Sequence, residues 1–121
     1  MMTRIIFCED DPVIQKLIRI ALRNETYDVV IAENGADGLV SIRRQPPYLI
    51  FTDISMPIMD GIQLCDTLQA DSTLKHIPIV LLTASLQREE LHEALSHGAV
   101  THLSKPFSLQ KLRDTIKRLL P

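Results

Sequence analysis

The chain alternates short, almost unbroken apolar runs with longer stretches whose apolar residues recur every three or four positions. The runs Arg4–Cys8, Asp28–Ala32, Leu49–Thr52, Pro78–Leu82 and Thr101–Leu103 read as strands. Several lack the polar alternation of a half-solvated strand, which suits strands covered on both faces. Between them lie five helical patterns. The first starts near Pro12, a residue that fits a first turn, and spaces Val13, Ile14, Leu17, Ile18, Ala21 and Leu22 helically. The second runs from about Gly35 to Arg44 and stops before Pro46-Pro47. The third spans roughly Ile62–Ala70, and the fourth roughly Arg88–His97 with Gly98 as its terminator. The last follows the N-cap residue Ser108 and places Leu109, Leu112, Ile116, Leu119 and Leu120 on one face.

Five βα units joined by short links imply an α/β fold with helices on both faces of a parallel sheet. The expected architecture is doubly wound and flavodoxin-like, with strand order 2-1-3-4-5 and its ligand site at the carboxyl ends of the strands. No internal repeat, low-complexity tract or long linker interrupts the pattern, so residues 1–121 read as one domain.

Composition narrows the function classes. At 121 residues, 45% hydrophobic and 23% charged, the chain can bury a core without a disulfide framework. A net charge of −2 gives no electrostatic reason to expect direct nucleic-acid binding. Cys8 and Cys65 sit in apolar contexts and read as buried, reduced thiols of a cytoplasmic protein. No apolar run approaches the roughly 18 residues a membrane span needs. Met1-Met2-Thr3-Arg4 leads into a strand rather than a signal peptide, and no membrane partner is expected.

The chemistry gathers where the topology says it should. Glu9, Asp10 and Asp11 follow the first strand, Asp53 the third, Thr83 the fourth and Lys105 the fifth. Strands one, three, four and five are contiguous in the expected order, so these groups converge at one sheet edge. The end of strand two, Ala32-Glu33-Asn34, adds nothing evident. Clustered carboxylates repel: at ~4 Å and an effective dielectric of ~20, each pair costs about 4 kcal/mol. A hard divalent cation, Mg²⁺ or Mn²⁺, removes that cost with oxygen ligands, and Asp10 and Asp53 fit its ligand count, with Glu9 nearby or acting through water. A carboxylate beside such an ion, with one lysine and one hydroxyl, is equipment for phosphoryl transfer to Asp53.

Four motifs carry a resemblance: Cys8-Glu9-Asp10-Asp11-Pro12, Thr52-Asp53-Ile54-Ser55-Met56-Pro57-Ile58-Met59-Asp60-Gly61, Leu82-Thr83-Ala84 and Ser104-Lys105-Pro106-Phe107. In order and spacing the whole chain resembles the receiver domains of two-component response regulators. The resemblance implies that Asp53 is the phosphoacceptor, Glu9 and Asp10 the acidic pair, and the Ser55 backbone carbonyl a metal ligand. It implies that Thr83 moves toward the phosphoryl group, that Lys105 is its charge partner, and that the Lys105–Pro106 bond is cis. The implied donor is a sensor histidine kinase or phosphotransfer protein, docking near the first helix and the loop after strand five. The implied output is a changed surface on the fourth helix, fifth strand and fifth helix, read by a protein partner, a fused output domain or a second copy of the chain. Ser55 and Ser85 occupy positions that in this family tune attack of water on the phosphoryl group.

One position departs from the family pattern. His102, three residues before Lys105, stands where an aromatic ring is usual. A smaller, more polar ring weakens inward packing, and an imidazole there introduces the prospect of pH-sensitive switching.

Simpler readings accompany several residues. Asp11 lies at the mouth of the first helix and reads as a cap. Asp60-Gly61 reads as a tight turn before the third helix. His76, His92 and His97 read as solvent-facing, and the five-residue separation of His92 and His97 does not suit a metal pair on one helical face. Lys111, Arg113, Lys117 and Arg118 read as the exposed side of the last helix, or as ion-pair partners of a second copy. Two rival functions remain. An aspartate-nucleophile phosphatase would need a second acid two residues after Asp53, where Ser55 stands. A pure interaction module would not need Asp10, Asp53 and Lys105 together.

Overall fold

The computed structural model describes residues 2–84 and 87–121; Ser85 therefore lies outside the described residues. Five strands, β1 (Thr3–Cys8), β2 (Tyr27–Ala32), β3 (Leu49–Asp53), β4 (Ile79–Thr83) and β5 (Thr101–Ser104), alternate with five helices. The helices are α1 (Pro12–Leu22), α2 (Gly35–Arg44), α3 (Gly61–Gln69), α4 (Arg88–Leu95) and α5 (Leu109–Leu119). All strand pairs are parallel, in the order β2-β1-β3-β4-β5. The expected doubly wound sheet is the one observed.

Residue parity along the strands divides the core in two. Ile6, Cys8, Ile50, Ile79 and Leu81 face α2, α3 and α4, packing on Leu39, Ile42, Leu64, Cys65, Leu68 and Ala94. Ile5, Phe7, Leu49, Phe51, Val80, Leu82 and Leu103 face α1 and α5, packing on Ile18, Ala21, Leu22, Leu112 and Ile116. Phe7 and Phe51 stack at 4.7 Å between ring centroids, tying β1 to β3 in the middle of the second face. β1, β3 and β4 are covered on both sides, which accounts for their unbroken apolar runs.

The helix starts are set by short polar side chains. Asp11, Asn34, Asp60 and Ser108 each accept a backbone N–H of the first turn that follows. Asp60 and Gln63 form a reciprocal capping box, so α3 begins at Gly61, and Asp60-Gly61 opens a helix rather than making a separate turn. α4 is shorter than its sequence pattern. It ends at Leu95 with Ser96 as its C-cap, and the chain then turns to Gly98, whose φ of 114° is a backbone conformation that side-chain-bearing residues avoid.

Cys8 and Cys65 are both buried and free. Burial pushes each thiol up to about 12, which keeps both protonated and unreactive at neutral pH. Among the described residues no helix is long and apolar enough to cross a membrane.

Candidate functional site

The carboxyl ends of β1, β3, β4 and β5 surround a cleft of about 390 Å³ lined by Glu9, Asp10, Asp53, Ser55, Thr83 and Lys105, with Asp11, Ile54, Leu82 and Ala84 completing the wall. Parallel strands place these residues together because β-pairing aligns the strand ends: Cys8 is level with Thr52, Asp53 with Leu82, and Thr83 with Ser104. Glu9, Asp10, Asp53, Thr83 and Lys105 each follow within two residues of their strand's last apolar position.

Glu9 is fully buried, an unusual setting for a carboxylate. Its Oε2 accepts the Asp11 N–H at 3.0 Å, and Gln15 of α1 donates to its backbone carbonyl at 2.7 Å. Its Oε1 meets the Lys105 ammonium at 2.8 Å. Asp53 is also buried, and its Oδ1 lies 2.5 Å from the same ammonium. Neither oxygen has another hydrogen-bond partner. One lysine thus faces two buried carboxylates, and Asp10 stands exposed beside them.

The electrostatics follow from that count. Burial raises the Asp53 carboxyl above the ordinary aspartate range, and neighbouring Glu9 raises it further, while Lys105 only partly offsets them. For Lys105 burial works against the charged form, yet Asp53 and Glu9 outweigh it and hold its pKa above the ordinary lysine value. The cleft carries more negative than positive charge.

One oxygen each from Glu9, Asp10 and Asp53 lies within 4.8 Å of the others. Three carboxylates so close, two with under-satisfied buried oxygens opening onto a cleft, fit a hard divalent cation. Ser55 lies on the cleft wall within the loop joining β3 to α3.

Residues to which the sequence pattern assigned no part in the site hold this loop and the end of β3. The Gly61 N–H donates to the Ile54 carbonyl at 2.8 Å, and a Cβ on Gly61 would run into the Asp53 carbonyl oxygen. Thr52 is buried and donates its hydroxyl to that same carbonyl at 3.0 Å. Asn34, at the end of β2 where no contribution was evident, is buried and caps α2. The following Gly35 N–H donates to the Met59 carbonyl at 2.9 Å, so the outlying strand's exit anchors the β3–α3 loop. The signals were present in the sequence only as ordinary cap and glycine residues.

At the fifth strand the Lys105 N–H donates to the Thr83 carbonyl at 2.6 Å, and the Lys105–Pro106 peptide is cis. Thr83 is buried at the strand end. His102 is half-buried and lines a different groove, with Phe107, Lys111 and Arg118. His76 and His92 are exposed. His97 is not simply solvent-facing: its ring lies between Asp66 and Glu93.

The model of the response regulator receiver domain matches residues 5–117. The chain belongs to this family. Among relatives, the DNA-binding response regulator MtrA of Mycolicibacterium smegmatis is 35% identical over 120 residues, 99% of this chain and 51% of that protein. Histidine kinase P4 of Formosa agariphila is 35% identical over 116 residues, 96% of this chain and 8% of the kinase. The receiver domain thus spans about half of the regulator and a small part of the kinase. Among solved structures, the chemotaxis protein CheY4 of Vibrio cholerae superposes with a TM-score of 0.91 at 28% identity, covering 99% of this chain and all of that one. The receiver domain of sensor histidine kinase PA1611 from Pseudomonas aeruginosa, with a magnesium ion in its active-site cleft, gives a TM-score of 0.89 at 28% identity over 98% of each chain.

Proposed function

We propose that this receiver domain takes a phosphoryl group on Asp53 from the phosphohistidine of a sensor kinase or phosphotransfer protein. The observation that carries the reading is the buried Asp53 carboxylate at a strand end, with the Lys105 ammonium 2.5 Å away, in a cleft also lined by Asp10, Ser55 and Thr83.

Glu9, Asp10, Asp53 and the Ser55 backbone carbonyl would hold Mg²⁺ or Mn²⁺. When bound, that ion supplies charge neutralisation of the acids and of the transferring phosphoryl oxygens. An Asp53 carboxylate oxygen attacks phosphorus, a P–O bond forms, and the P–N bond to the donor imidazole breaks. The imidazole leaves with the bonding electron pair and takes a proton from water. The result is an acyl phosphate carrying about −1.5 to −2 charge, by analogy with other phosphorylated side chains. Lys105 neutralises one phosphoryl oxygen, and the Thr83 hydroxyl donates to another. Drawing Thr83 toward the phosphoryl group changes the β4–α4 junction, and with it the α4, β5 and α5 surface offered to a partner, an output domain or a second copy.

The test is incubation with acetyl phosphate or phosphoramidate and Mg²⁺. Intact-mass analysis should show one added phosphoryl group in the parent chain and none in Asp53→Asn or after chelation. An unmodified parent chain, or equal labelling of Asp53→Asn, overturns the reading.

A further inference from the structure

α4 is held less firmly than the other helices. Its N-cap residue, Gln87, supplies no side-chain hydrogen bond, and Ala94 is its sole buried residue. α3, by contrast, buries Gly61, Leu64, Cys65 and Leu68 and carries a full capping box. The C-terminal end of α4 meets the core cluster shared with α3 through Ala94, Leu95 and Ala99, and polar contacts add a second link to α3. His97, two residues beyond α4, places Nδ1 2.6 Å from Asp66 Oδ1 of α3 and Nε2 3.5 Å from Glu93 Oε1 of α4. Gly98 then packs beneath the Gln69 side chain of α3.

A neutral imidazole has one N–H. With carboxylates at both ring nitrogens, it would present a lone pair to one of them. Only the imidazolium donates on both sides. The charged groups that pair with the ring are Asp66 from α3 and Glu93 from α4, and among the described residues no cation pairs with it. The Asp66 hydrogen bond, with support from Glu93, raises His97 above the ordinary histidine value. His97 also differs from His102, whose groove contains Lys111 and Arg118 and no acid.

We propose that His97 is a pH-dependent clamp that ties the C-terminal end of α4 to α3, closing when both ring nitrogens carry a proton. The clamp tightens as pH falls through the His97 titration and loosens above it. Its effect on signalling rests on the phosphoacceptor reading above: a clamped α4 resists rearrangement of the surface it shares with β5 and α5, so acid conditions hold the unphosphorylated arrangement. The clamp itself does not rest on that reading.

The experiment uses the free chain without a phosphodonor. NMR follows the His97 ring from pH 5 to 9, and amide hydrogen exchange across residues 89–95 is compared at pH 6 and pH 8 after correction for intrinsic exchange. The parent His97 should titrate above the ordinary value, and α4 should gain about two- to five-fold protection at pH 6. His97→Gln should abolish that pH dependence, and Asp66→Asn should lower the His97 titration point and reduce it. Asp66 is exposed and His97 half-buried, and neither belongs to the apolar core. An equal pH response in His97→Gln, or a His97 titration unmoved by Asp66→Asn, overturns the clamp. Failure of Asp53 to accept a phosphoryl group would overturn the other reading and leave this one standing.

Discussion

The Lys105 ammonium lies 2.5 Å from Asp53 Oδ1 and is the charge partner of that buried carboxylate. It also reaches Glu9 at 2.8 Å, so removing it strands two buried acids at once. Lys105→Met should destabilise the chain by about 1–3 kcal/mol at pH 8 in chelator. The loss should shrink near pH 5, where Asp53 holds a proton. Urea titrations at the two pH values check this, and phosphoryl transfer to Asp53 should fall sharply in the same variant.

Asp53 itself should impose a pH-dependent cost on folding. Its carboxyl is raised, so the folded chain binds more protons than the unfolded chain between the ordinary aspartate value and the raised one. Stability therefore falls as pH rises through that window, and below it the cost vanishes because both states are protonated. Lys105 acts at the other end: its raised pKa gives a stabilisation that is full below the ordinary lysine value and lost at higher pH. Asp53→Asn should be more stable than the parent by on the order of 1–2 kcal/mol at pH 8 in chelator, converging with it near pH 4. Denaturant midpoints at pH 4, 6 and 8 test the sign.

A divalent cation should reverse much of that cost. At free Mg²⁺ 100-fold above its dissociation constant, binding to the folded state alone adds about 2.7 kcal/mol. Thermal melts with Mg²⁺ and with excess chelator should therefore separate by several degrees in the parent. Asp10→Asn should narrow the gap, since Asp10 is one of the three clustered carboxylates. Unchanged melts would argue against a cation in the cleft.

Ile58 adopts a φ of 69°, disfavoured for a β-branched residue. It sits between Pro57 and Met59, whose N–H donates to the Pro57 carbonyl at 2.8 Å in a γ-turn. The side chain is largely exposed, so little packing offsets the strain. Ile58→Gly should stabilise the chain by about 0.5–1 kcal/mol without altering its secondary structure, as read by denaturation and circular dichroism.

Gly61→Ala should do the opposite. The added methyl group meets the Asp53 carbonyl and must push the start of α3 away from the end of β3. A loss of about 1–3 kcal/mol is expected, together with weaker Mg²⁺ stabilisation, because the displaced loop carries Ser55. A variant with parental melts and parental Mg²⁺ response would show that the loop yields freely.

The sequence by itself determined the alternation of five strands and five helices, their layering, and which acids, hydroxyl and lysine follow each strand. Hydrophobic periodicity is local, and strand ends are legible because the apolar runs stop there. Even the strand order was accessible, since short right-handed βα links leave few ways to wind a sheet. Tertiary structure alone decided how those groups meet. That Lys105 bridges Glu9 and Asp53, and that the Gly35 N–H anchors the β3–α3 loop through the Met59 carbonyl, depend on contacts between residues far apart in sequence. His97 shows the reason most simply. Its own surroundings read as a solvated helix end, and only the packing of α4 against α3 brings Asp66, 31 positions away, to its ring. Periodicity reports which face a residue presents, whereas the partner it finds there is set by the elements the fold lays alongside.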